Sequence, residues 1–276
     1  MNYKHIYHAG NFADVLKHSV LILALQSLHE SNRPFFVLDT HAGRGRYNLN
    51  APEALKSKEA EQGVHRAQML PEQSFVLKTY LDEILAFNPA SDYINIYPGS
   101  PAIIQKFLRN NDKAAFCELN EKEFFKLHAL FHDDKRIKTV RGDGYEALLS
   151  FIPPREKHGL VLVDPPFERK NEIMLLEDAI LTAWKRWPNG TFILWYPVKD
   201  QAIFDAHYDR LNHAIQSDIA CYSLRIPSHF LANMKALQET AIIVINPPHA
   251  LQKHHHNIDH LADEMFFDVM HTKSYA

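Results

Sequence analysis

The sequence predicts an α/β fold with a mainly parallel sheet, and three observations lead to this prediction. Apolar runs at 34–40, 114–117, 159–163 and 191–196 have the length and composition of strands that are buried on both faces. Segments with apolar residues at helical spacing separate these runs. Three of the runs end in loops that carry glycine or an acidic residue. Strands that alternate with helices form parallel sheets, which bind ligands beyond the carboxyl ends of their strands.

The other elements follow from local patterns. Residues 11–29 carry a helical stripe of apolar residues, and Asn11 is placed to cap this helix. The preceding segment, 3–10, is rich in histidine and aromatic residues, and we expect it to lie outside the core. Further helices are predicted at 121–132, 170–186, 199–216 and 257–270, and further strands at 137–140, 219–226 and 240–246.

Residues 51–95 are polar and helix-prone, with an amphipathic stripe at 73–87. The next helix begins near Ser100, which is placed to cap it, with Pro101 in the first turn. The helix that normally follows the first strand directly is therefore displaced. We predict a main domain of residues 1–50 and 96–276, with a helical subdomain of residues 51–95 inserted into it.

Composition and local segments indicate a soluble protein. With 276 residues, of which 46% are hydrophobic, the chain can form a full core. Cys117 and Cys221 lie in apolar runs, which predicts buried packing residues in a reducing compartment. No run reaches the length of a membrane span and the N-terminus lacks an apolar signal region, so we expect a cytoplasmic protein. The histidines at 254–256 lack acidic or cysteine partners at ligand spacing, and we predict no metal site.

The charge of the chain limits how it could bind nucleic acid. Its formal net charge is −3 and its pI is about 6.6, whereas proteins that bind a wide phosphate footprint are usually basic. A nucleic-acid partner would require locally concentrated positive charge. Candidates for this charge are Lys4, Arg44, Arg46 and Arg169.

A glycine pattern follows the first strand. Asp39, Gly43 and Gly45 have the spacing D-x-x-x-G-x-G, in which glycines let the backbone turn sharply and approach a nucleoside. A dinucleotide-binding loop would continue with a third glycine and run into a helix. Position 48 is Asn, and the break that follows argues against NAD.

Acidic residues end the next two strands. Glu118 ends the strand after the glycine loop, where a carboxylate can hold the two hydroxyls of a ribose. Asp143 and Gly144 end the following strand, where a carboxylate and a free N–H can contact an adenine edge; an ordinary turn is the alternative interpretation.

The most distinctive motif is Asp164, Pro165, Pro166 and Phe167, directly after the apolar run 159–163. An exocyclic amine on a ring is a poor nucleophile because its lone pair is delocalised. Asp164 and the Pro165 carbonyl could accept its two N–H bonds and draw the nitrogen towards sp³ geometry, and Phe167 could stack on the base. A second near-match, Asn-Pro-Pro-His at 246–249, is rejected because it has no aromatic hydrocarbon ring and follows two further strands.

The order of these loops resembles that of class I methyltransferases that use S-adenosyl-L-methionine (AdoMet): glycine loop, ribose acid, adenine acid, catalytic acid. Nearly the whole chain resembles one such family, the RlmJ-type 23S rRNA adenine-N6 methyltransferases of bacteria. The matching blocks are 3–18, 38–47, 97–101, 143–144, 164–167, 194–198 and 245–248. The resemblance implies a Rossmann-like, mostly parallel sheet with an antiparallel last strand.

The resemblance also implies roles for residues of this chain. The implied AdoMet contacts are His18, His41, Ser100, Glu118, Asp143, Gly144 and Asp164. Asp164 would also be the catalytic acceptor, Pro165, Pro166 and Phe167 would bind the base, and Tyr3 would contact the substrate RNA. Lys17 and His18, which helix periodicity alone would leave on an exposed face, would instead line the cofactor pocket as part of an N-terminal motif X. The insertion 51–95 would contact RNA.

By this resemblance we expect a monomeric, metal-independent enzyme that methylates N6 of an adenine in 23S rRNA, adenine 2030 in the family, in protein-free or early precursor RNA. Two alternatives remain open on the sequence. The first is a DNA adenine-N6 or protein glutamine methyltransferase. The second is a non-catalytic nucleic-acid-binding protein linked to DNA uptake.

Overall fold

A computed structural model describes residues 4–230 and 237–266. Its nine strands are β1 (Phe36–Asp39), β2 (Arg46–Asn48), β3 (Ile96–Pro98), β4 (Lys113–Glu118), β5 (Ile137–Arg141), β6 (Gly159–Val163), β7 (Thr191–Pro197), β8 (Ile219–Arg225) and β9 (Glu239–Ile245). Seven of them form the central sheet in the order β5-β4-β1-β6-β7-β9-β8, and β2 and β3 form a separate antiparallel pair. The predicted long strands are therefore confirmed, whereas the short pair was not predicted.

The helices are α1 (Phe12–Glu30), α2 (Pro52–Ser57), α3 (Val64–Gln68), α4 (Phe75–Leu85), α5 (Ser100–Phe107), α6 (Glu121–Phe131), α7 (Gly144–Phe151), α8 (Glu172–Arg186), α9 (Gln201–Ala214), α10 (His249–Lys253), α11 (His255–Asp259) and α12 (Leu261–Phe266). Short 3-10 turns span His5–Tyr7, Glu59–Gln62 and Ser228–Phe230. One face of the sheet packs on α1, the helices of 51–95 and the C-terminal helices, and the other on α7, α8 and α9. The helix predicted at 257–270 is divided between α11 and α12, and its end lies outside the described residues.

The parallel register brings the ends of three strands to one edge of the sheet. All residues of β1 and β6 are buried, as apolar strands covered on both faces must be. Asp39 pairs with Phe116 on one side and with Leu162 on the other. Glu118 and Asp164 follow these partners by two residues, so all three carboxylates reach the same edge.

The last strand, β9, lies between β7 and β8 and runs antiparallel to both. This arrangement confirms the predicted class I methyltransferase fold with its antiparallel last strand. It also argues against a catalytic role for the Asn-Pro-Pro-His sequence at 246–249. The end of β9 lies beside the start of β7, at the edge of the sheet opposite the Asp164 loop. There the Asn246 side-chain amide donates to the carbonyls of Pro188 and Gly190, each at 2.8 Å.

Helix α1 is buried on nearly all sides, although the sequence predicts only an apolar stripe. It packs against the sheet, α4, α5 and α10, so that Lys17 and His18 are only 4% and 1% exposed. Asn11 caps the helix as predicted, accepting from the backbone N–H of Asp14 at 2.9 Å. The prediction that 3–10 lies outside the core is wrong for Ile6 and Ala9, which are buried. Tyr3 lies outside the described residues.

The segment 51–95 is helical, as predicted, and its apolar residues join the core that surrounds α1. Val64, Leu77 and Tyr80 belong to this core and are fully buried. Strand β2 precedes this segment and β3 follows it, and the two strands pair with Tyr47 opposite Tyr97. The division of the chain into a main domain and an inserted subdomain stays a prediction.

Candidate active site

A cleft opens at the carboxyl edge of the sheet. It is lined by His5, Lys17, His18, His41, Ala42, Gly43, Tyr47, Gly99, Ser100, Glu118, Leu119, Asn120, Glu123, Asp164, Pro165 and Pro166. Seven of the site residues predicted from the sequence are in this set: His18, His41, Ser100, Glu118, Asp164, Pro165 and Pro166. Parallel sheets place binding sites at this edge because consecutive loops converge there.

Glu118 holds the glycine loop in place. The Gly43 backbone N–H donates to Glu118 Oε2 at 2.9 Å, and the Asn120 N–H donates to Oε1 at 2.6 Å. Gly43 has φ of +60°, and a Cβ there would lie 2.3 Å from the Tyr47 hydroxyl, so only glycine fits. Burial raises the pKa of Glu118 above its ordinary value despite these two hydrogen bonds.

Ser100 binds the acid that ends β1 and does not cap its helix. The N-cap of α5 is Gly99, so the predicted capping role of Ser100 is wrong. The Ser100 hydroxyl instead donates to Asp39 Oδ2 at 2.6 Å. Burial raises the pKa of Asp39 to about 7, opposed by this hydrogen bond and reinforced by the charge of Asp164.

His41 packs against the loop that ends β5. Its Nδ1 lies 2.8 Å from the Thr40 hydroxyl, and burial lowers its pKa to about 4. A Cβ on Gly144 would lie 2.4 Å from the Thr40 carbonyl and 2.7 Å from the His41 ring. Gly144 therefore permits this close approach, although neither it nor Asp143 lines the cleft.

Asp143 is already engaged by hydrogen bonds at both carboxylate oxygens. Oδ1 accepts from the Tyr145 backbone N–H and Oδ2 from Arg169 Nη2, each at 2.9 Å. Burial opposes ionisation, but these bonds lower the pKa of Asp143 overall.

Like Arg169, Arg44 is paired with a carboxylate, that of Glu123 at 2.8 Å. Two of the four basic residues expected to bind RNA thus have carboxylate partners within the protein.

His18 is linked to two buried tyrosines. Its Nδ1 lies 2.8 Å from the Tyr97 hydroxyl, which lies 3.1 Å from that of Tyr80. Burial lowers the pKa of His18 to about 3, so the ring is neutral at physiological pH. These two hydrogen bonds connect the cleft to α4 of the inserted segment.

Lys17 bridges two acids, a contact that the sequence analysis did not foresee. Its Nζ lies 2.7 Å from Asp14 Oδ1 and 2.6 Å from Asp164 Oδ2. Burial alone would lower the pKa of Lys17, but the two carboxylates raise it. Asp14 also accepts from His5 Nε2 at 3.0 Å and from the Gly10 backbone N–H at 2.9 Å. The only sequence signal was the i, i+3 spacing of Asp14 and Lys17.

Phe167 faces a second cavity that adjoins the cleft. This cavity has a volume of about 840 Å³ and shares His5, Lys17, Asp164 and Pro166 with the cleft. Phe167 has φ of +49°, a conformation that is rare for an aromatic residue and is found where the surroundings impose it. Its ring packs edge-to-face on Trp195 with centroids 5.7 Å apart. Asp164 therefore lies where the two spaces meet.

Within residues 4–230 and 237–266, no group of three or more histidine, cysteine, aspartate or glutamate side chains could hold a metal ion. None of the helices in this part of the chain combines the length and the apolar character needed to cross a bilayer.

Comparisons with known proteins agree on one family. Residues 32–273 match the model of the family described as "Ribosomal RNA large subunit methyltransferase D, RlmJ". The protein named ribosomal RNA large subunit methyltransferase J from Escherichia coli K12 is 34% identical over 260 residues, covering 94% of this chain and 91% of the relative. The protein of the same name from Haemophilus influenzae is 34% identical, covering 91% and 89%.

Solved structures include a close match to the whole fold. The crystal structure of a protein from Legionella pneumophila strain Philadelphia 1 superposes with a TM-score of 0.83 at 29% identity, covering 94% of both chains. The family model, the relatives and this superposition each cover most of the chain. The chain belongs to the RlmJ family of ribosomal RNA large-subunit methyltransferases.

Proposed function

We propose that this protein transfers a methyl group from AdoMet to the N6 amino nitrogen of an adenine in 23S rRNA. The observation that carries the proposal is the position of Asp164, which lines both the cleft and the aromatic cavity beside it. An acceptor for the N–H bonds of the substrate amine has to lie at the boundary between the methyl donor and the base.

The donor set of the cleft fits AdoMet. Glu118 lies at the end of the strand next to the glycine loop and is 7% exposed, which suits a carboxylate that binds ribose hydroxyls. His41 and His18 are held neutral by burial and can contact the cofactor without repelling its positive charge. Bound AdoMet supplies an electrophilic methyl group. An adenine contact by Asp143 would compete with Arg169 for Oδ2.

The two oxygens of Asp164 have different tasks. Lys17 occupies Oδ2, and no donor among the described residues bonds to Oδ1. Oδ1 can therefore accept one N–H of the substrate amine while the Pro165 carbonyl accepts the other. These two acceptors localise the lone pair on nitrogen, and the fixed φ angles of the two prolines keep the carbonyl in place. Lys17 contributes by holding the carboxylate in one orientation.

The base would bind in the aromatic cavity. An adenine within a stacked strand exposes too little of its amino group, so it must be turned out of the stack. Phe167 offers a ring in this cavity, and Tyr3 is expected to contact the base from the other side. We further propose that the enzyme acts as a monomer on protein-free or early precursor rRNA, and that it methylates the same nucleotide as its family.

The test is methyl transfer from labelled AdoMet to three acceptors: 23S rRNA, duplex DNA and a release factor. The proposal predicts transfer to the rRNA alone, and mass mapping of the product should find one N6-methyladenine. Label on duplex DNA or on glutamine would point to the alternative enzymes. Binding of AdoMet without transfer to any acceptor would contradict catalysis by this site.

A further inference from the structure

Among the parts of the chain that line the second cavity, two are distant in sequence from each other and from the N-terminal residues 5–17, which also line it. The inserted segment contributes Lys56, Lys58 and the 3-10 turn Glu59–Gln62. The end of β7 and the loop after it contribute Trp195 and Lys199. Asp164 connects this cavity with the cleft. A strand of RNA whose adenine reaches Asp164 would therefore contact both parts.

The size of the cavity exceeds the needs of one base. Its volume of about 840 Å³ lies near the upper end of the range of about 300–1,000 Å³ for pockets that enclose drug-sized ligands. A purine ring is much smaller than such ligands. The volume is sufficient for the target adenine and a further nucleotide.

The apolar lining is suited to a second base. Phe12, Phe167, Trp195, Ile226 and Phe230 line the cavity. The Trp195 and Phe167 rings meet at 65°, so they are not stacked on each other and a base could lie on an aromatic face. Bases of any identity stack on such faces.

The unpaired charge at the cavity is positive, although the whole chain is acidic. Lys56 and Lys199 are exposed, and neither has a carboxylate within 4.0 Å in the part of the chain that the structure describes. The carboxylate of Glu59, which also lines the cavity, accepts hydrogen bonds from His8 and Asn11. Lys17 pairs with both Asp14 and Asp164, and Lys58 and Glu61, which also line the cavity, pair with each other at 3.9 Å. Two free ammonium groups therefore remain for phosphates.

We propose that the cavity binds the nucleotide adjacent to the target adenine, with its base against Trp195 and its flanking phosphates at Lys56 and Lys199. This inference rests on the proposed function and adds a substrate requirement to it. The enzyme would need a single-stranded stretch of RNA, because a paired neighbour could not enter the cavity.

The phosphate contacts are tested with Lys56→Gln, Lys199→Gln and the double variant. Lys185→Gln is the control, since Lys185 is exposed on α8 away from the cavity. The KM for rRNA should rise about threefold or more for each cavity lysine, with kcat and AdoMet affinity unchanged. The slope of log(kcat/KM) against log salt concentration should become shallower by about 0.7 for each lysine removed. Equal slopes for the wild type and the double variant would overturn the phosphate contacts.

The stacking contact is tested on the RNA itself. The acceptor is an rRNA fragment in which the nucleotide on the 5′ or the 3′ side of the target lacks its base. For one side, the missing base should raise the KM of the wild type about tenfold and have little effect on Trp195→Leu. Trp195→Phe should retain most of the wild-type sensitivity and serves if the Leu variant folds poorly.

The outcomes separate this inference from the proposed function. A wild type that methylates the intact fragment but tolerates the missing base on either side would overturn the neighbour site and leave the proposed function standing. A wild type that does not methylate rRNA at all would remove the basis of both.

Discussion

Lys17 and Asp164 form an ion pair of 2.6 Å across 147 residues of sequence, joining α1 to the loop that carries the proposed catalytic acid. The Lys17 side chain is 5% exposed and that of Asp164 is 17% exposed. Because the ammonium also binds Asp14, it is compensated on two sides. The N-terminal helix thus orients the acid that would bind the substrate.

Replacing Lys17 by Met should lower the unfolding free energy of the protein substantially. It leaves Asp14 buried without its main counter-charge, and breaking such a pair costs about 3–5 kcal/mol of unfolding free energy. The matched control is Lys106→Met, which breaks the more exposed pair of Lys106 and Glu83 and should cost about 1 kcal/mol or less. Urea unfolding followed by circular dichroism measures both. Equal losses in the two variants would contradict a buried bridging role for Lys17.

Glu118→Gln should weaken AdoMet binding. The neutral amide is a poorer acceptor for the Gly43 N–H and for ribose hydroxyls, and charged hydrogen bonds contribute about 1.5–3 kcal/mol each. We expect the Kd of AdoMet, measured by calorimetry, to rise at least tenfold. Glu121→Gln, which removes a charge from an exposed pair with Arg141, should leave the Kd unchanged. If both variants bind alike, Glu118 does not hold the cofactor.

Two nearby glycines provide a matched comparison. A Cβ on Gly144 would meet the Thr40 carbonyl and the His41 ring, whereas a Cβ on Gly142 would have no neighbour within 4 Å. Gly144→Ala must displace His41 or the strand end, at a cost of about 1–3 kcal/mol, and should weaken AdoMet binding. Gly142→Ala should change neither stability nor affinity by a measurable amount. Thermal melts with and without AdoMet test this, and identical melts for the two variants would refute it.

His18 should make the fold sensitive to acid. Folded His18 has a pKa of about 3, against an ordinary value of 6.5. The contribution of His18 to the unfolding free energy is therefore fully present above pH 6.5. It is lost as the pH falls towards 3, because in this range only the unfolded chain takes up the proton. The loss from pH 7 to pH 5 is about 2 kcal/mol. His18→Gln should lack this part of the pH dependence, while contributions from Asp39 and His41 cancel between the two proteins. Parallel curves of unfolding free energy against pH would contradict the assignment.

Much of the fold could be predicted because the strands are buried on both faces. Continuous apolar runs such as 159–163 have few alternative structures, and turn residues mark their ends. The short pair of β2 and β3 escaped prediction because three residues carry no periodicity. The burial of Ile6 was not predicted, and that of Lys17 was indicated only by the family resemblance, because both depend on helices contributed by distant parts of the chain.

The strand ends that meet at the cleft could be predicted, but the contacts between their side chains could not. Loop order brought His41, Glu118 and Asp164 to one cleft, as the parallel register requires. The bond from Ser100 to Asp39 and the bridge from Lys17 to Asp164 are tertiary contacts, and no local spacing encodes them. The separate cavity at Phe167 depends in the same way on the insertion.

The most direct measurement is the single-turnover rate of methyl transfer by Asp164→Ala at saturating AdoMet and rRNA. We expect a folded variant that still binds AdoMet and whose rate falls by a factor of about 10²–10⁴, because the amine loses its acceptor. Asp178→Ala, which removes an exposed carboxylate on α8, should match the wild type. A rate for Asp164→Ala within threefold of the wild type would contradict the role of this carboxylate.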